Sequence, residues 1–339
     1  MTLQLQLGRS FMIGPVAIPN RVTLGPMAGV TCRPFRQHFK AYGVGLVYTE
    51  MVSAYGLLYG NKRTLDYLNF EEGERPLAVQ LFAGTPEVMS EAAARVLEAE
   101  RTPDIIDINM GCPVRKVVKT GAGAALLGDV EKAVAVAAAV VRTTAAAGIP
   151  VTVKLRSGLV AGDGIAEDLA PRLEAVGVAA LALHARAATD FYRGRADHEV
   201  SARVASRISI PLVISGDVDS LQAAEGIVDR VPCAALMLAR GVLGNPWLVE
   251  QLLTARSDTE PSARGGSYVV PREVAVDDLL RLFARARSDM GDEAAVRWIR
   301  SHVGWYLRRQ RVRTSEIHRL RLIPEAGLLE QELMDLARG

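Results

Sequence analysis

Cysteine is scarce in this chain, with three in 339 residues, Cys32, Cys112 and Cys233. An odd number without paired spacing argues against a disulfide framework, and five scattered histidines offer no His/Cys cluster for zinc, so no metal is expected. Long apolar runs are missing too. The longest, Ala133 to Val141, is far too short to span a bilayer, and the start MTLQLQLGRSFMIGP lacks the basic residues and apolar stretch of a signal peptide. A soluble, cytoplasmic protein with no membrane role is the expectation. No GxGxxG opens a helix after the first strand, and no GxxxxGK followed by Ser or Thr occurs, which disfavours a Rossmann domain and a P-loop ATPase.

What is present points to a large α/β domain. With 49% hydrophobic and 23% charged residues the chain can bury an ample core. Short apolar runs bounded by turn residues predict eight strands: 21–24, 45–50, 77–82, 105–109, 151–156, 179–184, 211–215 and 234–239. Helical stretches such as 86–99, 129–147, 164–176 and 220–228 lie between them. Eight such units match a (β/α)8 TIM barrel better than a doubly wound sheet. The catalytic barrel is expected over 1–253, a Ser/Pro/Gly-rich linker over 254–272, and a small all-helical domain over 273–339, where Leu279, Phe283, Ala286 and Met290 recur at helical spacing.

Barrel active sites lie at the carboxyl ends of the strands. Every strand offers a candidate there: Pro26 and Met27, Glu50, Gln80, Asn109, Lys154, His184, Gly216 with Asp217, and Arg240. Lys154 falls on an inward position of VTVKLR by the period-two rule, where a partly desolvated cation would stabilise an anion over the barrel mouth. ISGDV and LARG present glycine-flanked N–H groups where barrels commonly bind phosphate. Together these features fit a planar, phosphate-bearing cofactor such as FMN, with Lys154 facing the region that becomes negative on reduction and Gln80 at the ring edge. In DINMGCPVRKVVKTGAGAALL, Cys112 sits on a loop three residues beyond the fourth strand, between Gly111 and Pro113. Cysteine in that setting serves as a nucleophile or a proton donor.

Charge is uneven although the total is only +2. Eight arginines between Arg297 and Arg321 stand against one acid, Glu316, so this segment carries +7 and the remainder −5. A helix expected from Glu293 to Arg311 groups Arg297, Arg300, Arg308 and Arg311 around Gly304 on a face free of acids, opposite Trp298, Ile299, His302, Val303 and Tyr306. Such a face suits a polyanion, and RNA is the expected partner. No obligate protein partner is evident.

LGPMAGVTCRPFR, VQLFAG, DINMGCPVRKVVKTGAGAALL, VTVKLRSG, LHAR, ISGDV and LARGVLGNPWL occur in this order. In sequence and spacing they closely resemble the tRNA-dihydrouridine synthases, flavin-dependent enzymes that reduce uridines in the D-loop region of tRNA. The resemblance runs from about Phe11 through the C-terminal helices. It implies that Pro26, Met27 and Ala28 line FMN, that Gln80 and Lys154 bind its ring, and that His184 lies beside it. Ser215, Gly216, Asp217, Ala239 and Arg240 would lie at its phosphate, Ser215 standing where the family usually has asparagine. Asn109 would contact the target base, and Lys119 and Arg186 would help hold the RNA. NADPH, or NADH, would reduce the flavin, hydride would pass to the C6 carbon of uracil, and Cys112 would protonate C5. Two other readings exist on the residues alone. One is an FMN barrel reductase of a small molecule, resembling dihydroorotate dehydrogenases, which leaves the arginines idle; the other is a non-catalytic tRNA-binding protein, which leaves Cys112, Lys154 and Gln80 idle.

Overall fold

Strands buried on both faces read as near-continuous apolar runs, and here such runs form a closed parallel barrel. The structure, a computed structural model, describes residues 7–254 and 270–338. A hairpin of β1 (Phe11–Ile13) and β2 (Val16–Ile18) precedes the barrel. The barrel staves are β3 (Val22–Leu24), β4 (Leu46–Tyr48), β6 (Leu77–Phe82), β7 (Ile105–Met110), β8 (Val151–Gly158), β9 (Ala180–Ala187), β10 (Leu212–Ser215) and β11 (Ala235–Leu238), with the two-residue β5 (Val52–Ser53) also pairing with β6. β11 pairs in parallel with β3 and closes the ring. All eight expected strands are therefore present, each shifted by no more than a few residues.

The helices around the barrel are α1 (Arg33–Ala41), α2 (Ala54–Leu58), α3 (Lys62–Asp66), α4 (Pro86–Leu97), α5 (Arg115–Val118), α6 (Val130–Thr144), α7 (Ile165–Ala175), α8 (His198–Ala205), α9 (Leu221–Val228) and α10 (Trp247–Thr254). Side-chain oxygens of Asp129 and Ser220 accept from backbone N–H groups and start α6 and α9, as the Asp and Ser signals predict. The expected linker at 254–272 lies largely outside the described residues. α11 (Arg272–Met290), α12 (Asp292–Arg309), α13 (Thr314–Leu322) and α14 (Ala326–Arg338) form the C-terminal helical part. Among the described residues, no helix is long and apolar enough to cross a membrane, and no group of three or more His, Cys, Asp and Glu could hold a metal ion.

Alternation along the staves divides the core in two. Leu181 and Leu183 of β9 and Val151, Val153 and Leu155 of β8 point to the helices. Inside, Leu46, Tyr48, Ala78, Ile105, Ala180, Ala182, Val213, Ala235 and Met237 fill the barrel, and Ile13 and Ile18 of the hairpin join that inner cluster. The lower barrel is thus packed solid. Further along β6 to β9 the same inward positions carry Gln80, Asp107, Asn109, Thr152, Lys154, Arg156, His184 and Arg186, so the lumen changes from apolar to polar toward the strand ends.

Candidate active site at the barrel mouth

Register stacks the polar residues in tiers. Gln80 lies opposite Asp107, Asp107 opposite Thr152, Asn109 opposite Lys154, and Arg156 opposite His184. In the lowest tier Asp107 is fully buried; its carboxylate accepts from Gln80 Nε2 at 2.6 Å and from Thr152 Oγ1 at 2.5 Å. Burial pushes its carboxyl up to about 7, partly offset by those two hydrogen bonds and by the charge of Lys154. Gln80 Oε1 accepts from Asn109 Nδ2 at 2.8 Å. Gln80, expected at a cofactor edge, is therefore fully buried with both amide atoms engaged by protein, and Asn109 is 5% exposed.

Asn109 in turn shapes the cysteine loop. Its Oδ1 accepts from the backbone N–H groups of Gly111 at 3.2 Å and Cys112 at 3.0 Å. Arg156 Nε donates to Gly111 O at 3.0 Å and its Nη1 to Ala187 O at 2.9 Å, while Ala124 N donates to Cys112 O at 3.0 Å. Gly123 has φ +62°, and a Cβ there would stand 2.6 Å from Cys112 O, so the glycines of GAGAALL let this segment close onto the loop. Cys112 is half-buried. Burial raises its thiol pKa, outweighing the Val114 N–H and the charges of Arg156 and Lys154, so the sulfur is protonated at neutral pH.

Lys154 lines a cavity of about 390 Å³ at the mouth, together with Gly25, Pro26, Met27, His184, Tyr192, Ser215, Gly216, Asp217, Ala239 and Arg240. Most of the residues expected to hold a cofactor thus share one cavity. Gln80 lies below it, and Ala28 sits on the exposed turn beside it. The influences on the Lys154 ammonium are burial first, then Arg156, both lowering its pKa to about 8 against the opposing charges of Asp107 and Cys112; none is a hydrogen bond. His184 is held far below the usual histidine range by burial and then by Lys154, Arg156, Arg186 and Arg240, so its ring is neutral. Arg186 Nη1 lies 3.2 Å from His184 Nε2, which places the ring proton on Nδ1. Tyr192 lies beside these cations, its ring centroid 4.7 Å from the Arg240 guanidinium and 5.5 Å from that of Arg156.

Arg186 has a different setting from the RNA contact that the resemblance implies. It is 4% exposed, and Nε donates to Arg193 O, Nη1 meets His184, and Nη2 donates to Gly194 O and to Asp217 at 2.6 and 2.8 Å. All three nitrogens are committed to protein partners, so it braces the His184 and Asp217 walls of the cavity. Asp217, although burial favours protonation, is held below the usual carboxyl range by the Ala196 N–H and by Arg186.

The C-terminal helices reach the same mouth. Arg309 of α12 lines the cavity and donates to Leu243 O and Gly241 O, both at 3.2 Å. Trp298 Nε1 donates to Gly29 O at 3.1 Å, beyond the Pro26–Met27 turn. The arginine face departs from expectation in three ways. Gly304, its expected centre, is buried close to Arg308 and Arg321; α12 ends at Arg309, leaving Arg311 beyond it with φ +54°; and Glu293, one turn back, pairs with Arg297, so the face does carry an acid. Arg297, Arg308 and Arg311 are exposed, as is Lys119 at the end of α5, whereas Arg300 is half-buried with its Nε out of contact with solvent. Arg309, Arg156, Asp107 and Tyr192 were not singled out from the sequence. For Arg156 the signal was present, since it lies two residues beyond Lys154 and so on the same inward side.

Comparison with known proteins bears on the family and on the barrel. Residues 23–321 match the family model described as dihydrouridine synthase. The tRNA-dihydrouridine synthase B of Pseudomonas aeruginosa is 37% identical over 297 residues, covering 87% of this chain and 86% of that one. A probable tRNA-dihydrouridine synthase of Mycobacterium tuberculosis is 35% identical over 312 residues, covering 89% and 78%. Among solved structures, the old yellow enzyme from Trypanosoma cruzi superposes with a TM-score of 0.58 at 12% identity, covering 77% of this chain and 95% of that one. A morphinone reductase variant in complex with tetrahydroNAD gives 0.54 at 16%, covering 76% and 92%. At such identities the structural likeness speaks for the barrel alone, but the match across most of the sequence does more: the chain belongs to the dihydrouridine synthase family.

Proposed function

We propose that this protein reduces uridines of tRNA, in the D-loop region, to dihydrouridine, with FMN at the barrel mouth and NADPH as reductant, in the cytoplasm. The cavity fits the cofactor in chemistry: a lysine ammonium with no hydrogen-bond partner among the described residues, the Arg240 guanidinium and the glycine-flanked ends of β10 and β11 suit an anionic, phosphate-bearing ring system. When bound, the flavin would supply the hydride that adds to the C6 carbon of uracil.

The chain's own residues divide the remaining work. Lys154 would stabilise negative charge at the ring, and neutral His184 would border it with its Nδ1 proton. Ser215, Gly216, Asp217, Ala239 and Arg240 would surround the phosphate. Asn109, whose amide is engaged by Gln80, Met51 and the N–H groups of Gly111 and Cys112, could hydrogen-bond the base only by giving up one of these partners, and Cys112 would give its proton to C5. The observation that carries this reading is the protonated, half-buried thiol clamped at the mouth, since a general acid must hold its proton before the step. Exposed Lys119, Arg297, Arg308 and Arg311 would meet RNA phosphates. The uridine would leave its stack to reach the mouth.

The test is mass spectrometry of tRNA from cells lacking the gene, with wild-type or Cys112→Ala protein restored. Wild type should restore dihydrouridine at a defined position, and Cys112→Ala should keep its flavin and its NADPH oxidation while losing most product. Unchanged dihydrouridine on deletion would turn the assignment to a small-molecule reductase; full product from Cys112→Ala would remove the general-acid role.

A further inference from the structure

The buried tier below the mouth does more than fill space. A carboxylate can only accept hydrogen bonds, so Asp107 fixes which end of the Gln80 amide faces it: the NH₂ must point to Oδ2. Gln80 Oε1 then faces Asn109 and can only accept, which turns the Asn109 NH₂ inward. What remains facing the cysteine loop is Asn109 Oδ1, the acceptor that the N–H groups of Gly111 and Cys112 require. Reversing either amide would set acceptor against acceptor at the end nearer Asp107 and donor against donor at the other, and for Asn109 the opposed donors are the Gly111 and Cys112 N–H groups, which would be left unsatisfied. Thr152, donating to Oδ1, keeps the carboxylate from rotating.

We propose that Asp107 is a positioning residue for Cys112: by imposing one polarity on the Gln80 and Asn109 amides, it holds the cysteine loop in its proton-donating place. This rests on the proposed role of Cys112 as proton donor. The acceptor at Oδ2, not the negative charge, is what matters, because a hydroxyl is donor and acceptor alike. A proton on Oδ1 would be received by Thr152, leaving Oδ2 still accepting from Gln80. Asparagine at position 107 reproduces that arrangement, with its NH₂ toward Thr152 and its oxygen toward Gln80. Leucine, of similar size, offers Gln80 nothing.

The experiment compares Asp107→Asn and Asp107→Leu as flavin-loaded enzymes. Three rates are measured: alkylation of Cys112 by iodoacetamide, followed on its peptide; flavin reduction by NADPH; and dihydrouridine formation on tRNA. Asp107→Leu is expected to change the alkylation rate severalfold and to lower kcat for dihydrouridine by about 10- to 100-fold, with flavin content, flavin reduction and KM for tRNA close to wild type. Asp107→Asn should stay within about twofold of wild type in all three rates. If Asp107→Leu does not accumulate as folded protein, Asp107→Ser, too short to reach Gln80, takes its place with the same expectations. Wild-type alkylation and product formation in the leucine variant would overturn the proposal. So would an asparagine variant as impaired as leucine, which would assign the effect to charge, or a parallel loss of flavin reduction, which would mark a general packing defect. Should Cys112→Ala retain full activity, the fault lies with the proton-donor role, and alkylation still reports whether Asp107 places the loop.

Discussion

Lys154 holds its proton less tightly than a free lysine because it is half-withdrawn from water beside Arg156. Its folded-state pKa of about 8 means that the ammonium is present below that value and lost as pH rises through it. A phosphate-bearing flavin attracted by that charge should therefore bind the cofactor-free protein more weakly above pH 8 than at pH 7. Titration by quenching of flavin fluorescence measures this, and Lys154→Met should bind weakly and evenly across the window. An affinity that stays flat in wild type from pH 7 to 9 would assign the cavity's attraction to Arg240 instead. The inward position of Lys154 was legible, because strand alternation is a local property. The burial of Gln80 and the linkage of Asp107 to the cysteine loop were not, because both depend on the register between strands far apart in sequence.

Elements were read more securely than their surroundings. The eight staves and the packed side of α12 follow from periodicity within one segment, and Ile299, His302, Val303 and Tyr306 are buried as that pattern requires. The hairpin β1–β2 escaped because it stands outside the β-then-α alternation by which the staves were located, although Ile13 and Ile18 help plug the barrel. The arginine face of α12 was misjudged because its outer side is set by what lies across it, α13, which carries Arg321 over Gly304. The segment LGNPW shows a motif glycine acting between elements. Gly244 has φ +67°, and a Cβ there would stand 2.6 Å from the carbonyl carbon of Trp305 and 2.7 Å from Tyr306 N. Backbone meets backbone, so neither side can yield as a flexible side chain would. Gly244→Ala should cost about 2 kcal/mol or more, from left-handed strain plus the clash. Thermal denaturation measures it, and a melting temperature equal to wild type would show that α12 does not need this close approach.

At the scale of the whole molecule, barrel and helices share one core. Buried apolar residues of α11 to α14 belong to the same cluster as those packed outside the staves. Buried Asp278 of α11 accepts from Tyr42 at 2.7 Å and Tyr306 at 2.6 Å and pairs with His38 at 3.0 Å, joining α1 to the helical part. The basic segment is therefore held in place beside the mouth, with Trp298 and Arg309 bonded to the turns that rim it. If its exposed cations meet phosphate, RNA binding must release counterions, and the logarithm of the association constant must fall linearly with the logarithm of salt concentration. Each lost phosphate contact should flatten that line by about 0.7 to 0.9. Arg308→Ala and Arg311→Ala should each do so, weakening binding to all tRNAs alike. Arg297→Ala should do less, because Glu293 already neutralises part of its charge. Filter binding of unmodified tRNA at several salt concentrations reads all three slopes. Slopes left unchanged by Arg308→Ala and Arg311→Ala would place the RNA on the other side of the mouth, along α5 and Lys119.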